Sequence, residues 1–371
     1  MSTPYHYDKF PPNDLDWPEL IPLIGPANAA IARYEGVLQG VPNSDVLLSP
    51  LTTQEAVLSS RIEGTQATLG EVLEFEAEGD LSDESTPKKA DIYEIQNYRE
   101  ALRKGTRLLD KLSISQMLVR ILHKTLMRGV RGKDKTPGEY RTVQNWIGPL
   151  GCSIDDAYFV PCRTEHLLDA MNDWEAYLGA ETPDRLIQLA IMHAEFEAIH
   201  PFLDGNGRVG RLIIPLFLKE KGLLGRPNFY LSGYLEQHRD EYYARLLAVS
   251  RDGDWTGWCA FFLEAVIAQA EENGQKAEAI LNLYAQRKNW IVEAVRSQYA
   301  VRALDWFFGR PIFRTSDFVA SAGIPAPTAI RILRVVRNKG LLRVHRPGGG
   351  RQPAVLLFPE LLNIAEGGSV F

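Results

Sequence analysis

A run of twelve residues, 200–211, holds most of the groups in this chain that are suited to chemistry on phosphate. It reads His-Pro-Phe-Leu-Asp-Gly-Asn-Gly-Arg-Val-Gly-Arg. His200 can take a proton near neutral pH, and Asp204 offers the hard carboxylate that Mg²⁺ or Mn²⁺ binds together with phosphate oxygens. Arg208 and Arg211 add planar guanidinium groups that match phosphate geometry. A base, a metal-binding acid and two arginines in one run predict transfer of a phosphate-linked group.

The glycines of this run predict a site for an anion. Gly205, Gly207 and Gly210 fit the pattern of a dinucleotide-binding turn, but the preceding segment 185–199 is helical in pattern and no acid stands near Tyr230. A phosphate loop of the type Gly-x-x-x-x-Gly-Lys-Ser/Thr does not occur. Glycine backbone at the start of a helix turns N–H groups toward one point, where an anion binds. We therefore expect a polyphosphate ligand.

The elements around the run are predicted to be mainly helical. Segment 138–161 is instead predicted to form a short two-stranded flap, and segment 75–89 an acidic loop. No regular alternation of strands and helices predicts a parallel sheet. Apolar residues recur at helical spacing in eight segments, which are 27–41, 50–60, 90–109, 113–128, 163–178, 185–199, 209–221 and 255–298.

The last seventy residues resemble a winged helix-turn-helix, with three short helices followed by a hairpin. The formal net charge of the chain is −6, yet basic residues outnumber acidic ones nine to one between 310 and 351. Such asymmetry is typical of surfaces that meet nucleic acid or acidic protein. The alternative is a protein–protein or dimerisation module. The candidate nucleic-acid contacts are Arg331, Arg334, Arg337, Lys339, Arg346 and Arg351.

The run 200–211 resembles the signature of the Fic family, His-x-Phe-x-Asp/Glu-Gly-Asn-Gly-Arg-x-x-Arg, at every fixed position. The resemblance extends to 138–141, 159–161, 238–243 and 253–255. It implies a mainly α fold, with a Fic helical core that carries a short β-hairpin flap. It also implies a protein adenylyltransferase, a nucleotidyltransferase of the EC 2.7.7 type. Such an enzyme moves AMP from ATP to a Ser, Thr or Tyr hydroxyl of a target protein or of itself.

The resemblance implies a role for individual residues. His200 would deprotonate the target hydroxyl, Asp204 would hold the metal on the α- and β-phosphates, and Arg211 would reach the γ-phosphate. The target chain would align with the flap by strand addition, at Ala157, Tyr158 and Phe159. The remaining ATP-binding positions would be Gly205, Asn206, Gly207, Arg208, Val209, Gly210, Tyr242 and Tyr243. Without the resemblance, the two tyrosines are equally well core aromatics.

A second resemblance lies upstream, where Ser-Ser-Arg-Ile-Glu-Gly at 59–64 matches the family's inhibitory pattern Ser/Thr-x-x-x-Glu-Gly/Asn. It implies the class with an N-terminal inhibitory helix, here at about 50–64. Glu63 would pair with Arg211 and keep that arginine from the γ-phosphate. The alternative is a helix N-terminal capping box made by Ser60 and Glu63. In some relatives this glutamate also assists removal of AMP, so de-AMPylation stays open.

These interpretations divide the chain into four parts: an N-terminal helical region (1–112), a Fic catalytic core (113–270), a helical linker (271–300) and a winged-helix-like domain (301–371). Because no signal-like N terminus or long apolar segment occurs, we expect a cytoplasmic protein without membrane contact. The competing function is a DNA-binding regulator whose Fic domain only senses nucleotide. A donor other than ATP, such as UTP, and a homodimer also stay open.

Overall fold

A computed structural model of the chain describes residues 2–78, 86–129, 135–149, 151–350 and 352–371. The predicted mainly helical fold is confirmed. The helices up to the motif run 200–211 are α1 (Trp17–Gln39), α2 (Ser44–Leu47), α3 (Ser49–Ile62), α4 (Leu69–Glu78), α5 (Pro87–Leu108), α6 (Gln116–Leu126), α7 (Leu167–Gly179) and α8 (Arg185–Ile199). Those after it are α9 (Asn206–Glu220), α10 (Ser232–Gln237), α11 (Arg239–Asp252), α12 (Trp255–Val295), α13 (Ala300–Gly309), α14 (Thr315–Ser321), α15 (Ala326–Asn338) and α16 (Pro359–Glu366).

The described strands are short. They are β1 (Thr3–Pro4), β2 (Phe159–Val160), β3 (Ile312–Arg314), β4 (Arg343–Arg346) and β5 (Val355–Leu357). β1 pairs with β2 in parallel, whereas β3, β5 and β4 form an antiparallel sheet in that order. By its contacts the chain forms two compact units. None of the described helices is long and apolar enough to cross a membrane.

The first unit comprises the residues up to Glu35 together with Leu58–Thr65 and Tyr93–Glu271. Its central helix is α8, which packs against α7, α9 and α11. Every side chain of α9 from Asn206 to Leu218 is buried. A helix that is buried on all sides is held by neighbours around it rather than by packing of one face. The loop between α8 and α9 is therefore fixed at both ends by the core.

A buried polar cluster ties the start of the chain to α8. The fully buried Glu195 accepts hydrogen bonds from the Tyr5 hydroxyl and, at 2.8 Å, from His6 Nε2. The other ring nitrogen of His6 lies 2.7 Å from the Ser250 hydroxyl oxygen. Burying a polar group without a hydrogen-bond partner lowers the stability of the folded state. Removal of one member of this cluster would therefore destabilise the protein by leaving the others unpaired.

Replacing Glu195 by alanine is expected to lower the free energy of unfolding by about 3 kcal/mol, because it leaves His6 and the Tyr5 hydroxyl buried without their partner. Urea denaturation would measure the loss. The control is Glu181→Ala, since Glu181 is exposed and its loss should change the free energy by less than about 0.5 kcal/mol. Equal losses in the two variants would contradict the cooperative cluster.

The second unit comprises Gly36–Val57, Gln66–Ile92 and Glu272–Phe371. Its C-terminal part follows the order α13, β3, α14, α15, β4, β5 and α16. The sequence predicted the three helices and the hairpin but missed β3, which pairs Ile312 with Leu357 in the sheet. Three residues are too few to give an alternating pattern. The winged-helix interpretation and the four-part division of the chain stay predictions.

Within the second unit, two acidic residues of α4 bind the hairpin. Glu74 lies 2.8 Å from His345, and Glu78 lies 2.7 Å from Arg346. Helix α4 also packs against β3, and α2 packs against α13. A ring cluster fills the interior, with Phe307 4.9 Å from Phe318 between ring centroids.

Several helix boundaries differ from those predicted. Helix α1 begins at Trp17 rather than at residue 27, with Pro22 and Pro26 inside it. Proline is disfavoured inside a helix, but Leu20 and Ala27 of the same helix are buried, so packing overrides that preference here. Helices α2, α4, α10, α11 and α16 were not predicted. The predicted acidic loop 75–89 is wrong at its ends, because residues 75–78 belong to α4 and residues 87–89 to α5. Residues 79–85 of that loop lie outside the described residues.

Candidate active site

His200 is the C-terminal cap of α8, where its backbone adopts the left-handed conformation (φ 52°, ψ 60°). Its Nδ1 lies 3.2 Å from the carbonyl oxygen of Glu197. A carbonyl can only accept, so the proton stands on Nδ1 and Nε2 keeps a free lone pair. Burial, reinforced by the charge of Arg141, lowers the pKa of His200 to about 4. The ring is therefore neutral at pH 7 and able to take a proton.

The loop after His200 is closed by the side chain of Asn206. Its Oδ1 accepts from the Phe202 amide at 2.8 Å, and its Nδ2 donates to the Phe202 carbonyl at 2.9 Å. Gly205 follows with φ +79°, and a Cβ there would lie 2.9 Å from the Met127 sulfur. Glycine is needed at this position for both reasons. The turn leads directly into the first residues of α9.

Arg208 is buried and held by two carboxylates. Its Nη1 lies 2.7 Å from Glu94 Oε2, and its Nη2 lies 3.3 Å from Asp204 Oδ1. Glu94 was missed in the sequence analysis, since it sits on α5 more than a hundred residues upstream with no local signature. The pairing fixes one guanidinium group beside the start of α9.

Asp204 suits a metal ion that arrives with a nucleotide. Its side chain is 42% exposed, although it touches Arg208. No group of three or more His, Cys, Asp or Glu residues that could hold a metal occurs among the described residues. Mg²⁺ needs no such group when one carboxylate and several phosphate oxygens complete its shell. The single accessible carboxylate fits that mode of binding.

Arg211 is fully buried and is bound by the residues at the end of α3. Its Nη2 lies 2.6 Å from Glu63 Oε1 and 2.9 Å from the Ser59 carbonyl oxygen, while its Nε donates to the Ser59 hydroxyl at 2.9 Å. Burial acts to raise the pKa of Glu63, but the charge and hydrogen bond of Arg211 lower it below the ordinary value. The pair is therefore ionic at neutral pH.

The Glu63 carboxylate also lies on the start of α9. A Cβ added to Gly207 would overlap Glu63 Oε1. The N-terminus of a helix carries unsatisfied N–H groups and partial positive charge, which favour an anion. A carboxylate of the protein itself thus stands where the glycine run was predicted to bind an anion. The capping-box alternative is wrong, because α3 ends at Ile62 and does not begin at Ser60.

Two family profiles match the chain. The profile described as Fic/DOC family N-terminal matches residues 21–107, and the profile described as Fic/DOC family matches residues 113–218. Together they cover just over half of the 371 residues.

The chain belongs to the Fic/DOC family.

Curated relatives match a limited part of this Fic/DOC protein. A probable protein adenylyltransferase of Aquifex aeolicus is 33% identical over 111 residues, which are 30% of this chain and 32% of the relative. A protein adenylyltransferase of Caenorhabditis briggsae is 32% identical over 112 residues, which are 29% of this chain and 19% of the relative. The chain thus spans about a third or less of the length of these relatives.

Solved structures share the fold over a larger part. A Fic family protein from Desulfovibrio desulfuricans has a TM-score of 0.59 at 20% identity, covering 94% of this chain and 98% of that one. Fic-1 from Caenorhabditis elegans has a TM-score of 0.55 at 21% identity, covering 72% of this chain and 75% of that one. At these identities the likeness concerns the fold.

Glu197 is a further carboxyl group at the site that the sequence analysis missed. It lies on α8 against Gly210, where an added Cβ would overlap its Oε1. That oxygen is buried without a hydrogen-bond partner among the described residues. Burial raises the pKa of Glu197 to about 8, against the opposing charge of Arg211. At neutral pH this Fic/DOC protein therefore keeps Glu197 mostly protonated.

The two predicted nucleoside-pocket tyrosines differ in burial. Tyr242 is buried, and its hydroxyl lies 2.9 Å from Nε2 of the buried His193. Tyr243 is exposed, and its hydroxyl donates to the Ile62 carbonyl at 3.4 Å. Tyr242 thus packs as a core aromatic, and Tyr243 lies beside the end of α3. Their role toward a nucleoside stays a prediction.

His193 gives a testable pH dependence. Burial, with Arg211 nearby, lowers the pKa of His193 to about 3. Between this value and the unfolded value near 6.5, the unfolded chain binds a proton that the folded chain does not, so acid favours unfolding. Lowering the pH from 6.5 to 5 therefore lowers the free energy of unfolding by about 2 kcal/mol. The stability advantage of wild type over His193→Gln should narrow by that amount between pH 7 and pH 5, measured by urea denaturation.

The matched control for this slope is His166→Gln, because His166 is exposed. Its difference from wild type should stay constant between the two pH values. A constant difference for His193→Gln as well would contradict a buried neutral imidazole at that position.

The flap strand is paired on both sides. The amide of Ile147 donates to the Phe159 carbonyl at 2.9 Å, on one edge. On the other edge, Thr3 donates to Tyr158 at 3.0 Å and Tyr5 donates to Val160 at 2.9 Å. Of the predicted docking residues, Ala157 and Phe159 are buried and Tyr158 is 62% exposed. Docking of a target at these residues stays a prediction.

The predicted nucleic-acid contacts fall into three groups. Arg331 donates to the Val295 carbonyl at 2.8 Å, and Arg346 pairs with Glu78 at 2.7 Å, so both bind their own chain. The exposed residues Arg334 and Arg337 lie on α15 at a groove beside α14, and the exposed Lys339 directly follows that helix. Arg351 lies outside the described residues. The DNA-binding alternative stays a prediction.

Proposed function

We propose that this protein is a protein adenylyltransferase, which transfers AMP from ATP to a Ser, Thr or Tyr hydroxyl of a target protein. The observation that carries the proposal is the ionic pair between Glu63 and Arg211 on the start of α9. It indicates that this position, next to a neutral histidine with a free lone pair, binds an anion. Family membership and relatives named protein adenylyltransferase support the reaction.

In the proposed reaction His200 Nε2 takes the proton from the target hydroxyl. The oxygen forms a bond with the α-phosphorus of ATP, the bond from that phosphorus to the β-phosphate oxygen breaks, and pyrophosphate leaves. The low pKa of His200 keeps it unprotonated before the reaction. General-base catalysis of this kind contributes about 10² to 10⁴ in rate.

The start of α9 would hold the phosphates in place. The backbone amides of Gly205, Asn206 and Gly207 and the dipole of α9 favour negative charge there. Arg208 is fixed beside them by Glu94. Arg211 would bind the γ-phosphate once Glu63 has left. Because these donors are fixed before the substrate arrives, little reorganisation is needed when charge develops.

Asp204 would hold Mg²⁺ or Mn²⁺ on the phosphates, and the ion would supply neutralisation of their negative charge. The side chain is accessible enough for this role, and Arg208 limits its movement. The other groups of the proposed site are side chains and backbone amides of the protein.

Glu63 would act as an inhibitor. Together Glu63 and Ser59 accept three hydrogen bonds from Arg211, so three of its five N–H donors are engaged before any nucleotide binds. ATP bound in that state would lack its contact for the γ-phosphate and would lie in a non-reactive pose. Removal of AMP from a modified target, if it occurs, would use the same carboxylate.

The direct test is mass spectrometry of Glu63→Gly after incubation with ATP and Mg²⁺, alone and with cell lysate. We expect covalent AMP on a hydroxyl side chain of this protein or of lysate proteins. Parallel incubations with UTP separate a different donor from an inactive protein. If no nucleotide is found on any protein with either donor, the proposed function is wrong.

A further inference from the structure

His123, on the last turn of α6, is the buried residue on which the turn before α9 rests. Its ring stacks on Phe202 with centroids 3.7 Å apart and planes 7° apart. Its Nδ1 lies 2.8 Å from the Gly138 amide nitrogen, and its Nε2 lies 2.9 Å from the Asp204 carbonyl oxygen. The ring has no exposed surface. One side chain thus connects α6, the segment at Gly138 and the motif run.

The two hydrogen bonds fix the tautomer of His123. A backbone amide only donates and a backbone carbonyl only accepts. Nδ1 must therefore accept from Gly138, and Nε2 must carry the proton that it donates to Asp204. The neutral ring with a proton on Nε2 satisfies both partners, and no other form does.

The bond to Asp204 reaches the most restrained part of the motif run. The next residue, Gly205, has φ +79° and packs against Met127, which directly follows α6. The carboxylate of Asp204 is approached by Arg208 from within α9. The main chain and the side chain of Asp204 are therefore restrained by different elements, the main chain by α6 and the side chain by α9.

We propose that His123 is a positioning residue of the transfer site, which fixes the main chain of Asp204 and thereby places its carboxylate for nucleotide-bound Mg²⁺. Because its ring has no exposed surface, it would touch neither the nucleotide nor the reacting atoms. The inference rests on the proposed function for the identity of the ligand. Groups that orient a metal-binding side chain commonly change metal affinity 10- to 100-fold when they are removed.

The test is a pair of variants in the Glu63→Gly background, each keeping one of the two bonds. His123→Gln keeps a donor at the distance of Nε2 and can still bind Asp204. His123→Asn keeps an acceptor at the position of Nδ1 and can bind only Gly138. Isothermal titration calorimetry with ATP, in the presence and absence of Mg²⁺, measures how much Mg²⁺ increases the affinity.

We expect His123→Asn to reduce the Mg²⁺-dependent gain in ATP affinity at least about tenfold, and His123→Gln to keep it within about threefold. ATP affinity without Mg²⁺ should change little in both. Equal losses in the two variants, or no loss in either, would show that the ring only fills space. Calorimetry measures ATP binding and does not require AMP transfer. If the Glu63→Gly protein binds Mg-ATP but transfers no AMP, the proposed function is wrong, while the role of His123 is still tested by the binding data.

A second measurement reads the tautomer directly in the wild-type protein. Nitrogen-15 NMR of labelled wild type, with the His123 signal assigned from its disappearance in His123→Gln, reports which ring nitrogen carries the proton. We expect the neutral form protonated at Nε2. A ring protonated at Nδ1 would contradict the bond to Asp204 and overturn the proposal.

Discussion

Replacing Glu63 by glycine is expected to raise the initial rate of AMP incorporation on the order of 100-fold over wild type. The substitution removes the 2.6 Å ion pair to Arg211 and frees that guanidinium for the γ-phosphate. A charge-assisted contact of this kind contributes up to about 3 kcal/mol, which corresponds to roughly a 100-fold change in rate. Radiolabelled ATP with Mg²⁺ and purified protein gives the rate directly.

The control for this gain is Glu181→Gly, since Glu181 is exposed and lies outside any helix. Its rate should equal that of wild type. Ser59→Ala should give a smaller rise, because it removes only the hydroxyl bond and leaves the Ser59 carbonyl and Glu63 on Arg211. A Glu63→Gly protein with the wild-type rate and an intact fold by circular dichroism would contradict the inhibitory role.

In the Glu63→Gly background, His200→Ala is expected to lower AMP transfer by about 10³-fold, because the proposed base is lost. ATP binding should remain within about threefold, since His200 makes no predicted contact with the phosphates. Transfer is followed with labelled ATP and binding by calorimetry. The control is His166→Ala, which removes an exposed histidine outside the proposed site and should leave transfer unchanged. A parallel loss of binding and transfer would indicate a structural role instead.

The pH dependence adds a second criterion for His200. A base works in its unprotonated form, and burial lowers the pKa of His200 to about 4. Glu63 acts to raise that pKa, so its removal should lower the value further. The rate of Glu63→Gly should therefore show no inflection near pH 6.5. An inflection there that disappears in His200→Ala would contradict the neutral state of the ring.

Those parts of the site that lie close together in sequence could be predicted from it. His200, Asp204 and Arg211 occupy one helix–turn–helix segment, and their spacing alone brings them to one place. Glu63 lies 148 residues before Arg211, and only the family resemblance linked the two. No local sequence pattern predicts which side chain a glutamate that follows a helix will pair with.

The supporting residues could not be predicted. His123, Glu94 and Glu197 are polar groups on helices whose periodicity is otherwise ordinary, and a sequence pattern does not distinguish a buried polar side chain from a solvated one. The pairing of Arg346 with Glu78 joins residues 268 positions apart. It reduces the basic surface that composition alone suggested for the hairpin.

The pairing of β1 with β2 bears on how the protein would select a target. A peptide strand that adds to Tyr158–Val160 must compete with Thr3–Tyr5, which is tethered to the same chain and held by the Glu195 cluster. A tethered competitor has an effective concentration in the millimolar range. Loose peptides would then be outcompeted, and a folded partner with a second attachment point would be favoured. On the proposed function, competition from the N-terminal strand would make the enzyme select folded proteins over free peptides as targets.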